Sequence, residues 1–313
     1  MALAQEKPIF NQIAIIGVGL IGGSIARAAL EKGVAGEVVL FDGNAEALKR
    51  AGEIGFGKPA ASIEAAVTNA DAVFHCVPVG AMGATARASI AAMKPGAILT
   101  DVGSVKGNIA RDWRSLGRGD VHIIPGHPIA GTEKSGPDAG FPSLFENRWC
   151  ILTPEPGGDA DYVAATDKLA AFWTALGSKV ERMDPARHDL VLAVTSHIPH
   201  LIAYNMVATA YDMEAVTEGE VVKFSAAGFR DFTRIAASDP TMWRDVFLNN
   251  KEAVLEVLGR FEEDLTALRK AIRNADGQKL FDTFTESRRI RREIIDAGQD
   301  TASANFGRDK PKT

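Results

Sequence analysis

Three polar residues of this chain lie in segments where their chemistry could be used. His127 stands between a glycine and a proline, and a histidine on so rigid a backbone can take or give a proton near neutral pH. Arg234 stands between apolar residues, and a guanidinium in apolar surroundings favours a bound carboxylate. Ser104, in a glycine-containing loop, could donate a hydrogen bond to a small ligand. These residues predict a site that binds a small acid and moves a proton.

Each of the three residues also has a structural interpretation. A lone histidine is often only a part of the folded framework. Arg234 could form a buried ion pair with Asp231, one helical turn earlier. Ser104 could cap a helix that begins near Val105. The residues alone leave these alternatives open.

A second histidine-containing segment, Ser196–His200, lies inside a long helical pattern. Pro199 removes one helix hydrogen bond and predicts a kink. His197 and His200 are three residues apart and share one helix face, as a pair of zinc ligands would. No thiol or carboxylate completes such a set, so we expect no metal.

The first ordered stretch of the chain reads I-A-I-I-G-V-G-L-I-G-G-S from Ile13 to Ser24. Apolar residues of a buried strand run into Gly17, Gly19 and Gly22, and a helical pattern follows. In a dinucleotide-binding loop the first glycine makes the turn, the second lets the pyrophosphate approach and the third lets the helix pack on the strand. Asp42 ends the next strand, twenty residues after the last of these glycines. This context predicts a dinucleotide site.

The residue at the end of the second strand also predicts which dinucleotide binds. A carboxylate at Asp42 would bind the ribose hydroxyls and repel a 2′-phosphate, and no arginine stands beside it. We therefore expect NAD rather than NADP. The residues expected to contact the cofactor are Gly17, Gly19, Leu20, Ile21, Gly22, Asp42, Val77 and Pro78.

Strand and helix patterns alternate through the first half of the chain, which predicts an α/β fold with a Rossmann-type, doubly wound parallel sheet. Ligands of such sheets bind beyond the carboxyl ends of the strands, so the residues after Val77, Asp101 and Ile124 are the first candidates for a site. The predicted strands are Ile13–Ile16, Val38–Phe41, Ala72–Val77, Ile98–Asp101, Val121–Ile124, Trp149–Leu152 and Lys179–Arg182.

Helical periodicity replaces this alternation near residue 184. We therefore predict a nucleotide-binding domain at residues 1–182 and an all-helical substrate and dimerisation domain at residues 183–313. The abundant apolar surface of the helices predicts a homodimer, with a self-contained bundle as the alternative. The predicted helices are Arg187–Tyr211, Glu218–Phe224, Thr241–Ala275, which is broken near its start or middle, and Lys279–Ile295.

Composition limits the class of protein. The chain has 313 residues, of which 46% are hydrophobic and 24% charged, with a net charge of −5. The negative net charge argues against a nucleic-acid partner, which would require a concentrated basic surface. No apolar run approaches the ~20 residues that span a membrane, and no hydrophobic signal segment stands at the N-terminus. We therefore expect no membrane partner and a cytoplasmic location.

Five segments, taken in order, resemble the prephenate/arogenate (cyclohexadienyl) dehydrogenase family of tyrosine biosynthesis. They are the glycine loop, Asp101–Lys106, His127–Glu133, Ser196–His200 and Phe232–Ala236. The resemblance implies a Rossmann domain followed by a helical dimerisation domain. It also implies that His127 is the catalytic base and that Arg234 binds a substrate carboxylate. Ser104 would lie between cofactor and substrate, and the remaining pocket residues would be Ser196, His200, Thr132 and Trp243.

The implied function is NAD-dependent oxidative decarboxylation of prephenate, arogenate or both. One alternative is a β-hydroxyacid dehydrogenase acting on another small carboxylate, which should carry a lysine in a glycine-rich helical segment. The other is a non-enzymatic NAD-binding interaction protein, which would not account for His127 and Arg234. The preference between the two substrates, feedback by tyrosine and the roles of His197 and Asp231 do not follow from the sequence.

Overall fold

A six-stranded, all-parallel sheet forms the first part of the structure, a computed structural model that describes residues 7–116, 118–132, 134–214 and 223–296. Its strands are β1 (Phe10–Ile16), β2 (Ala35–Phe41), β3 (Lys58–Pro59), β4 (Ala72–His75), β5 (Ile98–Asp101) and β6 (His122–Ile123). They lie in the order β3-β2-β1-β4-β5-β6. The order reverses between β1 and β4, where doubly wound sheets bind their ligands. The predicted fold class is thus confirmed.

The central strand shows why both faces of the sheet are covered. Successive side chains of a strand point to opposite faces. Ile13 and Ile15 of β1 enter one apolar cluster, together with Phe172 and Trp173. Ala14 and Ile16 enter the other cluster, with Trp113. Because both faces are buried, this strand is an uninterrupted apolar run rather than an alternating one.

The last two predicted strands belong to a different sheet. Strands β7 (Gly126–Pro128), β8 (Trp149–Leu152) and β9 (Lys179–Arg182) form a three-stranded sheet of their own, in which β7 is antiparallel to β8. The expectation that these segments complete the parallel sheet is therefore wrong. A four-residue strand carries no information in its sequence about its strand partner.

The helices of the α/β part alternate with the strands as expected. They are α1 (Leu20–Glu31), α2 (Ala45–Ile54), α3 (Ile63–Val67), α4 (Val79–Ile90), α5 (Gly107–Arg114) and α6 (Ala160–Ala175). The predicted strand Ala72–Val77 is β4, which ends at His75 rather than at Val77, because Pro78 caps α4 directly afterwards.

The second half of the described chain is helical. Its helices are α7 (Pro185–Leu192), α8 (Ile198–Glu214), α9 (Ala227–Thr233), α10 (Pro240–Asn249), α11 (Lys251–Arg273) and α12 (Gly277–Asp296). A π-helical turn, Ala193–His197, joins α7 to α8 just before Pro199, where the missing N–H and the bulky ring would disturb a regular helix. The predicted break within Thr241–Ala275 falls at Asn250. Residues 218–222 of the predicted helix Glu218–Phe224 lie outside the described residues.

Two compact units can be distinguished, one that extends to Leu255 and one that begins at Glu256. The first contains both sheets and the helices up to α10. The second contains most of α11 and all of α12. The division predicted at residues 182 and 183 separates α/β from helical structure rather than compact units, and it stays a prediction.

One helical segment is longer and more apolar than the sequence reading allowed. By length and composition alone, Pro185–Met213 could cross a membrane, because an 18-residue stretch within it has a mean hydropathy of 1.3. The expectation that no apolar run reaches this length is wrong for this segment, because polar residues spaced along a helix do not lower its mean hydropathy enough. The core helices of globular proteins meet the same criterion. Here the segment carries buried polar residues, His188, Asp189 and His197.

Candidate active site

The glycine loop has the geometry that its sequence predicts. Gly17 has a φ of +101°, which favours glycine, and a Cβ there would lie 2.5 Å from the Cys76 carbonyl oxygen. A Cβ at Gly22 would lie 2.0 Å from the Gly17 carbonyl oxygen, whereas one at Gly19 would meet no atom within 4 Å. The loop is therefore closed where helix and strand pack and open where a phosphate would approach. Gly19 precedes the first turn of α1, whose free N–H groups favour an anion.

Asp42 lies beside this loop, at the end of β2. Its carboxylate accepts hydrogen bonds from the N–H groups of Val18 and Asn44, each at 2.8 Å. These contacts hold the carboxylate next to the turn, where a ribose would lie. The open backbone at the N-terminus of α1 can accept a pyrophosphate, and the Asp42 carboxylate lies beside it. This arrangement fits a dinucleotide.

The other predicted cofactor contacts lie around the same turn. Val77 is half-buried and Pro78 exposed, directly after β4 at the reversal of strand order. Leu20 belongs to the apolar core and Ile21 packs against it. Leu20 therefore offers its backbone N–H, and not its side chain, to a ligand. All of these contacts stay predictions.

His127 lies on β7, paired with Ile151 of β8. Its neighbour Gly126 is held by a buried ion pair between Lys106 and Asp101. Lys106 Nζ donates to the Gly126 carbonyl oxygen at 2.8 Å, and the Gly126 N–H donates to Asp101 Oδ1 at 3.2 Å. The loop after β5 thus fixes the backbone that carries His127.

The ion pair is fully enclosed. Burial lowers the pKa of Lys106 and raises that of Asp101, and the attraction between the two groups opposes both shifts. Buried ion pairs contribute little net stability, but removing one partner of such a pair typically costs ~3–5 kcal/mol. Lys106 and Asp101 are therefore essential to the geometry of the site without being free to react.

His127 makes contact with a second histidine. Its Nδ1 lies 2.9 Å from His188 Nε2, and His188 Nδ1 lies 2.8 Å from Asp189 Oδ1. His188 is 0% exposed, while His127 keeps 8% of its surface exposed. No hydrogen-bond partner of His127 Nε2 is found in the described part of the chain. The ring is thus bound at one nitrogen and available at the other.

Burial sets the charge of these rings. It lowers the pKa of His127 well below the ordinary value of 6.5, and the neighbouring His188, Lys106 and His197 lower it further. Burial also lowers the pKa of His188, although its hydrogen bond to Asp189 opposes the shift. His127 is therefore neutral at pH 7, as a proton acceptor must be.

Ser104 is half-buried in the loop after β5. The capping alternative is wrong: α5 begins at Gly107, and its first N–H groups donate to the Asp189 carboxylate rather than to a serine. A carboxylate supplied by α7 replaces the local cap. Ser104 Oγ has no hydrogen-bond partner in the described ranges, so it can bind a ligand.

The segment Ser196–His200 brings two rings next to Trp243 of α10. His200 stacks on the indole at 3.7 Å between ring centroids, and His197 meets it edge-on at 6.0 Å. His200 Nδ1 donates to the Ser196 carbonyl oxygen at 2.8 Å, and its Nε2 has no hydrogen-bond partner among the residues that the structure describes. Trp243 is buried behind these rings. The structure therefore places it as their support.

His197 is enclosed completely. Asn250 Nδ2 lies 3.0 Å from His197 Nδ1, and the Ser104 backbone beside the ring partly opposes the lowering of its pKa. Burial is the main reason why the pKa of His197 falls to about 4. Its ring is neutral and belongs to the wall of the site.

Arg234 differs from the expectation. Its side chain is exposed rather than held in apolar surroundings, and no ion pair joins it to Asp231 in the described chain. Sequence neighbours on a helix point in different directions, so the half-buried Thr233 and Ile235 do not enclose it. Its positive charge nevertheless contributes, after burial, to lowering the pKa of His200. The structure thus brings Arg234 near His200.

Thr132 lies apart from the other predicted substrate residues. It is exposed, and its Oγ1 accepts the N–H of Lys134 at 3.2 Å. It lines a surface cavity of about 290 Å³ with residues that include Phe141, Glu146 and Arg148, but not His127 or His200. Its neighbour Glu133 lies outside the described residues. No group of three or more metal-ligating side chains occurs in the ranges described.

Sequence reasoning missed four residues of this arrangement. Asp101 and Lys106 lie in a motif that was recognised, but nothing in it showed that they form a buried pair. The only signal for His188 and Asp189 is a His-Asp dipeptide in an apolar helix. His127, which contacts His188, lies 61 residues before it in the chain, so only the fold joins them.

The chain is similar to known proteins over most of its length. Residues 25–182 match the sequence-family model of the prephenate dehydrogenase nucleotide-binding domain. Residues 184–286 match the family model of the prephenate dehydrogenase dimerization domain. Cyclohexadienyl dehydrogenase of Zymomonas mobilis is 41% identical over 90% of this chain and 96% of that protein. Prephenate dehydrogenase of Bacillus subtilis is 31% identical over 90% of this chain and 75% of its own length.

A solved structure has the same fold over nearly the whole chain. Prephenate dehydrogenase from Aquifex aeolicus, in complex with hydroxyphenyl propionate and NAD+, superimposes with a TM-score of 0.84 at 34% identity. The match covers 94% of this chain and 100% of that one.

Proposed function

Because the chain belongs to the prephenate dehydrogenase family, we propose that it catalyses the NAD-dependent oxidative decarboxylation of prephenate, arogenate or both. The observation that carries the proposal is the state of His127: a neutral ring bound at Nδ1 and free at Nε2. The solved relative that binds NAD+ and hydroxyphenyl propionate supports the cofactor and an aromatic acid as the ligand class.

Each residue of the proposed site has a separate role in the reaction. His127 Nε2 takes the proton of the ring hydroxyl, a contribution of about 10²–10⁴ in rate for a positioned base. Ser104 Oγ donates a hydrogen bond to that hydroxyl and so helps to orient it. Arg234 binds a substrate carboxylate, while Ser196 and His200 line the pocket on the helical side. NAD held by the glycine loop and Asp42 would supply the acceptor for the hydride on the carbon that carries the hydroxyl.

Loss of carbon dioxide from the opposite ring carbon makes the ring aromatic, which drives the reaction. The protein therefore need not activate the carboxylate that leaves. Its task is to orient the ring, take one proton and exclude water. The glycine loop and Asp42 hold the cofactor, and Asp42 favours NAD by repelling a 2′-phosphate.

We further propose that the protein is a cytoplasmic homodimer formed through its helical part. Helix α12 has no buried residue, and Phe281 and Phe284 are 65% and 57% exposed. Exposed apolar side chains of this size favour a protein partner, and the matched family model is a dimerization domain. A mass near twice 33.3 kDa in sedimentation supports the dimer, and a monomer overturns it.

Steady-state kinetics test the proposed activity. The purified protein is assayed with prephenate and with arogenate, each with NAD and with NADP, by absorbance of the reduced cofactor. We expect turnover of at least one substrate with NAD, and a lower kcat/KM with NADP. NAD binding without turnover of either substrate would favour a binding protein or another dehydrogenase instead.

A further inference from the structure

His127 is joined to a buried histidine and carboxylate that the mechanism above does not use. Its Nδ1 lies 2.9 Å from His188 Nε2, and His188 Nδ1 lies 2.8 Å from Asp189 Oδ1. We propose that His188 and Asp189 are positioning residues that fix the tautomer and ring orientation of His127, so that its Nε2 carries the free lone pair. The proposal rests on the proposed function in naming His127 as the base.

The carboxylate sets the direction of the two hydrogen bonds. An ionised Asp189 can only accept, so His188 Nδ1 carries a hydrogen and donates it. The Nε2 atom of a neutral His188 then has no hydrogen and can only accept. His127 Nδ1 must therefore carry the hydrogen of the second bond. A neutral His127 has only this one ring hydrogen, which leaves its Nε2 unprotonated.

Asp189 is itself held on two sides. Its Oδ1 accepts the Lys106 N–H at 2.7 Å and its Oδ2 accepts the Gly107 N–H at 2.8 Å, at the N-terminus of α5. A helix N-terminus favours a negative charge. The Asp189 carbonyl oxygen accepts from Asn250 Nδ2 at 2.9 Å. The carboxylate therefore cannot turn away from His188 without breaking bonds to the loop that carries Ser104.

The opposite direction of the hydrogen bonds is disfavoured. It requires either a doubly protonated His188 or a lone pair of His188 facing the carboxylate. Burial opposes the first, since it lowers the pKa of His188, and electrostatic repulsion opposes the second. The ionisable groups that act on His188 are Asp189, Lys106 and Asp101. Once Nε2 takes a proton, the same bonds share the positive charge of His127 with Asp189.

The tautomer can be read directly by NMR. The chain has six histidines, so the full-length protein labelled with ¹⁵N-histidine gives few signals, and the His127→Asn spectrum assigns those of His127. We expect the Nδ1–H form for His127 in the unaltered protein and a mixture or the Nε2–H form in His188→Phe. His188→Gln, whose side-chain amide can accept where Nε2 did, should restore the Nδ1–H form.

Kinetics give an independent readout. Groups that orient metal-ligating histidines contribute about 10–100-fold. We expect a loss of the same order in kcat of His188→Phe, while the KM values stay within about threefold. His188→Gln should recover part of the loss. His122→Phe, which alters a half-buried histidine of β6, serves as the matched control and should leave kcat and the His127 tautomer unchanged.

Several results would overturn the proposal. An Nε2–H tautomer of His127 in the unaltered protein would do so without any variant, even if His188→Phe does not fold. An unchanged tautomer and an unchanged kcat in a folded His188→Phe would do so as well. The NMR measurement needs no substrate, so a protein inactive with both prephenate and arogenate would remove the proposed function but leave the tautomer test intact.

Discussion

The glycine loop and the histidine group are two halves of one candidate site, but they are built differently. The loop lies within twelve consecutive residues, Ile13–Ser24, and its geometry follows from backbone conformation and from the absence of side chains. The histidine group joins His127 to His188 and His197 to Asn250, pairs that are 61 and 53 residues apart. The glycine loop is disrupted when a new side chain clashes with its backbone. The histidine group is disrupted when one of its hydrogen bonds is lost. Substitutions in the two regions should therefore have different signatures.

The largest expected effect is that of His127→Asn. Loss of the proposed base should lower kcat by about 10²–10⁴-fold, while the Kd of NAD stays unchanged, since the glycine loop is not touched. Steady-state kinetics and a fluorescence titration with NAD measure the two quantities. His122→Asn is the control and should retain activity. Unaltered turnover in His127→Asn would remove this residue from the role of base.

Gly22→Ala tests the role of the glycine loop. Its Cβ would lie 2.0 Å from the Gly17 carbonyl oxygen, so strand and helix must separate, at a typical overpacking cost of ~1–3 kcal/mol. We expect a lower Tm and a weaker NAD complex by calorimetry. At Gly259 in α11 a new Cβ meets no atom within 4 Å, so Gly259→Ala should leave NAD affinity unchanged and should raise rather than lower Tm, because alanine favours a helix over glycine. Normal NAD affinity in Gly22→Ala would contradict the proposed role of the loop.

Arg234→Gln tests how the substrate is held. Hydrogen bonds to a charged group are worth ~1.5–3 kcal/mol, so KM for the substrate should rise by about 10–100-fold with a small change in kcat. Arg230→Gln, at another exposed arginine of the same helical segment, is the control. If substrate saturation is normal in Arg234→Gln, the guanidinium does not bind the carboxylate.

Asp42→Ala should affect the cofactor alone. Removing the carboxylate also frees the N–H groups of Val18 and Asn44, so NAD should bind more weakly and NADP should be accepted. We expect the ratio of kcat/KM for NAD over NADP to fall about tenfold, which corresponds to ~1.4 kcal/mol. Asp42→Asn, which keeps the shape and one acceptor, should retain the loop. An unchanged ratio in both variants would place Asp42 away from the ribose.

The smallest expected effect is on the pH dependence of kcat/KM, whose decrease at acidic pH should occur at a lower pH than an ordinary histidine would give. His127 must be neutral to take a proton, so kcat/KM falls as the pH drops through its pKa. Burial lowers that pKa well below 6.5, so kcat/KM should stay constant from pH 7.5 down to about 6.5, the unperturbed value. Rates at fixed ionic strength measure the profile. A midpoint at or above 6.5 would mean that another group limits the reaction.

The two regions also differed in how well they could be predicted. The strand, the three glycines and Asp42 were assigned from sequence, and the structure has the geometry they require. His127, Ser104 and the segment Ser196–His200 were selected from motifs, and the structure brings them near one another. The partner sheet of β8 and β9 could not be predicted, because a strand of only four residues can pair in either sheet. The exposure of Arg234 could not be predicted, since apolar neighbours in sequence need not surround a residue in space.

The sequence by itself determined the class of fold, the place of the turn and the residue types available for chemistry. These depend on periodicity and on backbone conformation, which are local properties. Only the tertiary structure decided that Lys106 pairs with Asp101 beneath Gly126, and that Asp189 both holds the start of α5 and faces His188. The bonds from Lys106 to Gly126 and from Asp189 to the start of α5 join residues that are 20 and 83 positions apart in the chain, so they depend on how sheet and helices pack. Which nitrogen of His127 is free is therefore decided by the fold.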